Sequence, residues 1–395
     1  MQIKWVKYII FLLIMLSVNQ INATDTTIIT QLLHRVRELQ PKSDGVFPKG
    51  IFPSYRTYAL NKERQKADIN IFFTGLIVFT LNNIHADLTA SQQRIADSII
   101  DEASPVALKF KNQKGRDTYN FWSTDTPQIF PNAGWMNWFN KSQALPDDLD
   151  DTVIMLLALK STKTTAASIH QLMQQFTNNP KKQVNNTFKK FRNIPAYSTW
   201  FGKKMPVDFD VAVLSNVLYF VQYYKLGFTA ADTASLQLIE QVIKEKQYLT
   251  AANYISPHYS SPIIILYHLS RLMQHNSLPS LEKYKPELIE AAIKLLAQSN
   301  NFMETILLHT SLMRWGSNNT TLKSFQAASI KELVEADDFS FFIANMASIL
   351  PNKLKKVAAK MGVGKFYYHC SAYNNILLLE NLVLQNRKQG SVSLQ

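Results

Sequence analysis

The sequence predicts an all-α protein, a single (α/α)6 toroid with aromatic-rich loop insertions at one mouth. Three observations carry that expectation. Glycine is scarce, 11 in 395 residues, and apolar residues recur at helical spacing over long stretches. Six segments are apolar nearly all round, and six others are amphipathic with one charged face. The two kinds alternate, so interior helices would form a ring and one-sided helices would cover it.

In chain order, Asp25–Gln40 is a one-sided helix, and the stretch 44–58 (DGVFPKGIFPSYRTY) is a long connection broken by Pro48 and Pro53. Ala67–Leu81 is the first interior helix and Ser91–Ala103 covers it. Residues 116–140 pack Tyr119, Phe121, Trp122, Phe130, Trp135, Trp138 and Phe139 between prolines and polar residues. That composition breaks a helix and reads as an ordered loop or β-hairpin over the mouth, either lining a pocket or packing its own small core. Interior segments Asp147–Leu159, Asp208–Tyr224, Ser261–Met273, Asn301–Met313 and His369–Leu384 follow. They alternate with covering segments Ala166–Phe176, Thr233–Gln247, Leu281–Gln298 and Leu322–Ala336. The interior segments start 40 to 82 residues apart, which suits a structural repeat better than a sequence repeat.

At the N-terminus, Lys4 and Lys7 precede the apolar run Tyr8–Val18, and the small residue Ala23 follows. This is the order of a secretory leader, and the apolar run is shorter than the roughly 20 residues that span a bilayer. Residues 1–23 are therefore expected to be removed, leaving a toroid domain over 24–395 in a secreted or periplasmic protein. Losing two lysines takes the formal charge from +13 to +11. Such an excess suits anionic partners, including contact with a membrane surface. The lysines are dispersed rather than clustered with aromatics, so no nucleic-acid partner is expected. The one cysteine, Cys370, excludes an intramolecular disulfide, so the fold must stand on its core.

If the interior helices run parallel, their polar starts meet at one mouth: Asp68 and Asn70, the acids at 147–151, Asp208 and Asp210, His258 and Ser261, Glu304, and His369 with Tyr373. Helix N-termini attract anions, so this mouth is the candidate site for a small-molecule substrate. Four aspartates there, Asp147, Asp148, Asp150 and Asp151, exceed what capping needs. One or two carboxylates satisfy a helix start; further ones repel, and at least one is expected to bind its proton more tightly and serve as a general acid. Asp208 and Asp210 read first as caps, and His258, in a proline-bounded turn, reads as a surface residue.

The run Asp148–Leu149–Asp150–Asp151–Thr152 resembles the DxDD(T) motif of the class II terpenoid cyclases, within the terpenoid cyclase and prenyltransferase α/α-toroid superfamily. The resemblance implies a protonation-initiated cyclisation of an isoprenoid, with Asp150 as proton donor and Asp148 and Asp151 supporting it. Trp122, Trp135, Trp138, Asp208, Asp210 and Tyr373 are the expected substrate-contacting residues. Asp147, Asp148 and Asp151 also spell DDxxD, a magnesium pattern of class I synthases, but Pro146 argues for a helix start rather than the middle of a long helix. Cys370 beside His369 reads as a packed pair, and no metal or cofactor is expected. Two other classes stay open: a secreted glycan-active α/α-barrel enzyme, hydrolase or lyase, pairing Asp150 or Asp148 with Asp208, Asp210 or Asp68, and a non-catalytic secreted binding protein on the same toroid.

Overall fold

The computed structural model describes residues 26–125, 145–202, 205–317, 325, 327 and 329–392. The expected leader lies outside them, as do Phe130, Trp135, Trp138 and Phe139 of the aromatic loop. The chain is mostly helical. Its main elements are α1 (Thr26–Leu39), β1 (Ser54–Tyr58), β2 (Asn61–Asp68), α2 (Phe72–Ile84), α3 (Ala90–Ala103), α4 (Leu149–Ala158), α5 (Lys163–Met173), α6 (Val211–Tyr223) and α7 (Ala230–Lys244). There follow α8 (Pro262–His275), α9 (Lys285–Gln298), α10 (Phe302–Arg314), α11 (Ile330–Val334), β3 (Phe342–Asn345), α12 (Asn352–Met361), β4 (Lys365–His369) and α13 (Ser371–Val392).

The six segments read as interior are α2, α4, α6, α8, α10 and α13. In α6 every residue from Val211 to Gln222 is buried, and in α8 every residue from Ile263 to Met273. Each of the six packs on the next, and α13 returns to α2. Their side chains form one continuous apolar core. Each fully buried Leu or Ile, such as Leu307, Leu308 and Ile376, contributes roughly 1.5–3 kcal/mol relative to an exposed one. Gly75 lets α2 approach α4 closely, since a Cβ there would lie 2.7 Å from Met155 Sδ.

The covering helices announce their starts by sequence. Thr89 with Gln92, and Thr229 with Asp232, form capping boxes at α3 and α7. α5 and α7 are joined by His170 Nε2 and Asp232 Oδ2 at 2.8 Å. The last covering segment is shorter than expected among the described residues, α11 having five residues.

The all-α expectation is corrected by a four-stranded antiparallel sheet in the order β2-β1-β4-β3. The register pairs Tyr55 with His369, Arg56 with Tyr368, and Phe342 with Tyr368. Asp68 and His369, expected as starts of interior helices, are instead the last residues of β2 and β4. Among the described residues no helix is long and apolar enough to cross a membrane.

Candidate active site

The second interior helix, α4, begins under two flanking segments that fix its first turn. Asp148 N–H donates to Tyr119 O at 3.2 Å, Leu149 N–H to Thr199 O at 2.8 Å, and Phe201 N–H to Asp147 O at 3.0 Å. Thr152 completes the clamp, its Oγ1 donating to Asp148 O at 2.7 Å and accepting from Tyr119 N–H at 3.0 Å. The four aspartates therefore point in different directions.

Asp147 is turned aside, accepting from Asn112 Nδ2 at 2.6 Å and Thr118 Oγ1 at 2.5 Å. Asp148 is the N-cap, accepting from Asp151 N–H at 2.7 Å. Asp151 is buried and its Oδ1 has no hydrogen-bond partner. Burial, then the neighbouring Asp148 charge, pushes Asp151 well above the ordinary carboxyl range. Asp148 is raised too, chiefly by burial, with the Asp151 N–H hydrogen bond acting against it. Asp150 points toward α6, accepting from Asn216 Nδ2 at 2.7 Å and from the Tyr259 hydroxyl. Burial lifts its pKa to about 7, against the two hydrogen bonds and with the help of the Asp148 and Asp210 charges. Asn216 in turn accepts from Arg271 Nη2 at 2.5 Å, so a guanidinium lies one residue behind the acid.

Asp148, Asp150 and Asp151 open on a cleft of ≈ 600 Å³, open solvent included. Five aromatic residues, Phe72, Phe121, Trp122, Trp200 and Phe342, line it together with His258. Phe121 and Phe342 stack at 5.4 Å and Phe72 lies 4.8 Å from Phe342. The mouth thus joins the starts of α2 and α4 to β3, a strand absent from the expected fold.

His258 is buried rather than on the surface, and both its ring nitrogens lack a hydrogen-bond partner. Asp208 Oδ2 lies 3.8 Å from Nε2, an ion-pair separation too long for a hydrogen bond. Burial works against a charged imidazole, but Asp208, Asp210 and Asp148 outweigh it and raise the His258 pKa.

The other expected residues divide. Trp122 lines the cleft while its indole N–H donates to Asp68 Oδ1 at 3.0 Å. Trp135 and Trp138 lie outside the described residues. Asp208 lies behind His258, accepting from Asn186 Nδ2 and Ser348 Oγ, both at 2.9 Å. Burial alone would raise it, yet His258 and Lys355 hold it below the usual carboxylate range. Asp210 caps α6, accepting from the Ala212, Val213 and His258 N–H groups and from Ser256 Oγ. Asp68 is paired with Arg56 Nη1 at 3.1 Å. Neither Asp208, Asp210 nor Asp68 lines the cleft. Tyr373 is in the core instead, against Phe73 and Phe341, and does not reach the cleft.

Trp200, Asn216, Arg271 and Phe342 were not expected here. Asn216 and Arg271 carry a legible signal, a polar side chain inside a helix apolar all round; Trp200 and Phe342 carry none. The DDxxD acids do not converge because Asp147 faces away, and among the described residues no group of three His, Cys, Asp or Glu side chains could hold a metal ion. Compared with known proteins, the chain matches no protein-family model, and no curated protein matches it.

Proposed function

We propose that the chain is an acid-initiated isoprenoid cyclase of the terpenoid-cyclase kind, built as an (α/α)6 toroid whose six interior helices line the ring. One observation carries this reading: the buried Asp150 carboxyl, held by Asn216 and Tyr259, borders an aromatic cleft beside two further buried carboxyls, Asp148 and Asp151. A carboxyl with a pKa near neutrality is half protonated at working pH, and it can donate to a substrate and be recharged from water.

In the reaction the Asp150 proton adds to an alkene carbon, its new C–H bond using the π pair, and the carboxylate stays bonded to Asn216 and Tyr259. The tertiary cation faces the rings of Phe72, Phe121, Trp122 and Phe342, where cation–π attraction is worth about 0.5–2 kcal/mol per ring. A second alkene attacks it, closing a C–C bond. Loss of a proton to solvent water restores a neutral product, isomeric with the substrate.

A glycan-active enzyme is the second reading, favoured by the two tryptophans, Trp122 and Trp200, beside the carboxyls. Against it, the cleft's acids all come from one helix start, whereas glycoside hydrolysis uses carboxyls on both sides of the scissile bond. The test incubates the mature protein and Asp150→Asn with isoprenoid and oligosaccharide panels, followed by mass spectrometry. An isomeric isoprenoid of altered retention, lost in the variant, is the expected result. A cleaved glycan lost in the variant overturns it in favour of the second reading. No product from either panel makes the cleft a binding site.

A further inference from the structure

α12 is an amphipathic helix turned inside out. A helix on the surface of a globular protein normally buries its apolar stripe and exposes charge. Here the buried face is polar: Lys355 is buried, its Nζ donating to Asn186 O at 3.1 Å and Tyr254 O at 3.2 Å and lying 4.7 Å from the Tyr254 ring centre. Asn352, one turn earlier, contacts the Tyr254 hydroxyl and donates to Thr187 O at 3.3 Å. The exposed face is apolar: Leu354, Val357 and Met361, spaced as one helical stripe, are 58%, 56% and 60% exposed.

The stripe does not end with the helix. Gly362 closes α12 in the left-handed region at φ +71°, and its Cα lies so near the β1–β2 turn that a Cβ would sit 3.5 Å from Leu60 Cδ2. Leu60, 59% exposed, and Val363, 42% exposed, therefore extend the patch. A polar anchor that costs a buried lysine, supporting a contiguous apolar surface, is what an interaction face looks like.

We propose that this face docks on an anionic lipid bilayer, with α12 lying in the headgroup plane and its stripe in the acyl boundary. Charge complementarity selects that occupant. From Pro351 to Tyr368 the sequence carries five lysines and no acid; Lys355 and Lys365 are buried, while Lys353, with Lys62 and Arg64 after the β1–β2 turn, is exposed. Two such faces from two copies would repel, whereas anionic headgroups attract the exposed cations and the stripe inserts beneath them. The face is also continuous with the cleft: Ala344 and Met346 line its rim, and the chain runs from Met346 through a 3-10 turn to Pro351 and α12. A bilayer under α12 would lie beside the cleft mouth. The docking does not depend on the cyclase reading.

The test is vesicle flotation of the full mature chain with phosphatidylcholine alone and with phosphatidylglycerol added, beside Leu354→Ser/Val357→Ser/Met361→Ser and Lys353→Glu. The substituted side chains are exposed, so circular dichroism and Tm should be unchanged. The expected result is flotation with phosphatidylglycerol vesicles, weakened by salt, reduced at least about tenfold in the triple variant and partly in Lys353→Glu. Absence of flotation, or flotation indifferent to the triple variant, overturns the proposal. So does a dimer, seen by sedimentation, that the triple variant dissolves; the face then belongs to a second copy.

Discussion

At the residue scale, Asp150 differs from its neighbours less by type than by surroundings. Asp147 has two neutral donors and faces away from the cleft, while Asp150 is buried with two donors and two nearby negative charges. Asp150→Asn is predicted to lower turnover by at least about 10²-fold, the usual worth of a positioned general acid. Activity should fall as pH rises through about 7, where the donor loses its proton. The same group makes a stability prediction of definite sign. Its folded pKa lies above the unfolded value, so its contribution is full below about pH 4 and is lost as pH rises through about 7. Over that window the Tm of the native chain should fall relative to the Tm of Asp150→Asn, and parallel thermal melts of both proteins would check it. The crowding of these acids was legible in the sequence; their division of labour was not, because it depends on Asn112, Asn216 and Tyr259, all far away in the chain.

At the element scale, the interior helices were legible because a segment apolar on every side has no place but the interior. The sheet was not. β2 (NKERQKAD) is mostly charged, β3 has only four residues, and β1 pairs with β4 across more than three hundred residues. No local pattern encodes a pairing of that range. The same blindness displaced two helix starts, at Asp68 and His369, and left Phe342 out of the site. Buried charge inside the interior helices also has a consequence at this scale. Glu380 of α13 accepts from Tyr267 at 2.7 Å and pairs with Arg314 of α10, so it joins α8, α10 and α13. Glu380→Ala leaves Arg314 buried and unpaired and should cost about 3–5 kcal/mol, read by urea unfolding. In Gly75→Val, by contrast, the added atoms meet Met155 and Ile154 where α2 and α4 touch, and about 1–3 kcal/mol of overpacking is expected in the same assay.

At the scale of the whole molecule, a closed succession of apolar helices supplies the core, and the sheet caps the end where α2, α4, α6 and β3 bring the acids and the aromatics together. The polar residues inside, from Asp150 through Asn216 to Arg271, lead from the cleft across α6 to α8. An apolar cleft with an acid at its wall and an exposed apolar face on α12 are the two features that the proposed cyclase and the proposed bilayer docking require. The central claim is that Asp150 delivers a solvent-derived proton to that substrate. It is tested most directly by incubating a polyprenyl substrate with the native chain in D₂O and weighing the product. The account predicts a cyclised product heavier by one deuterium, and no product from Asp150→Asn. A cyclised product with no deuterium, or one formed equally by the variant, would contradict it.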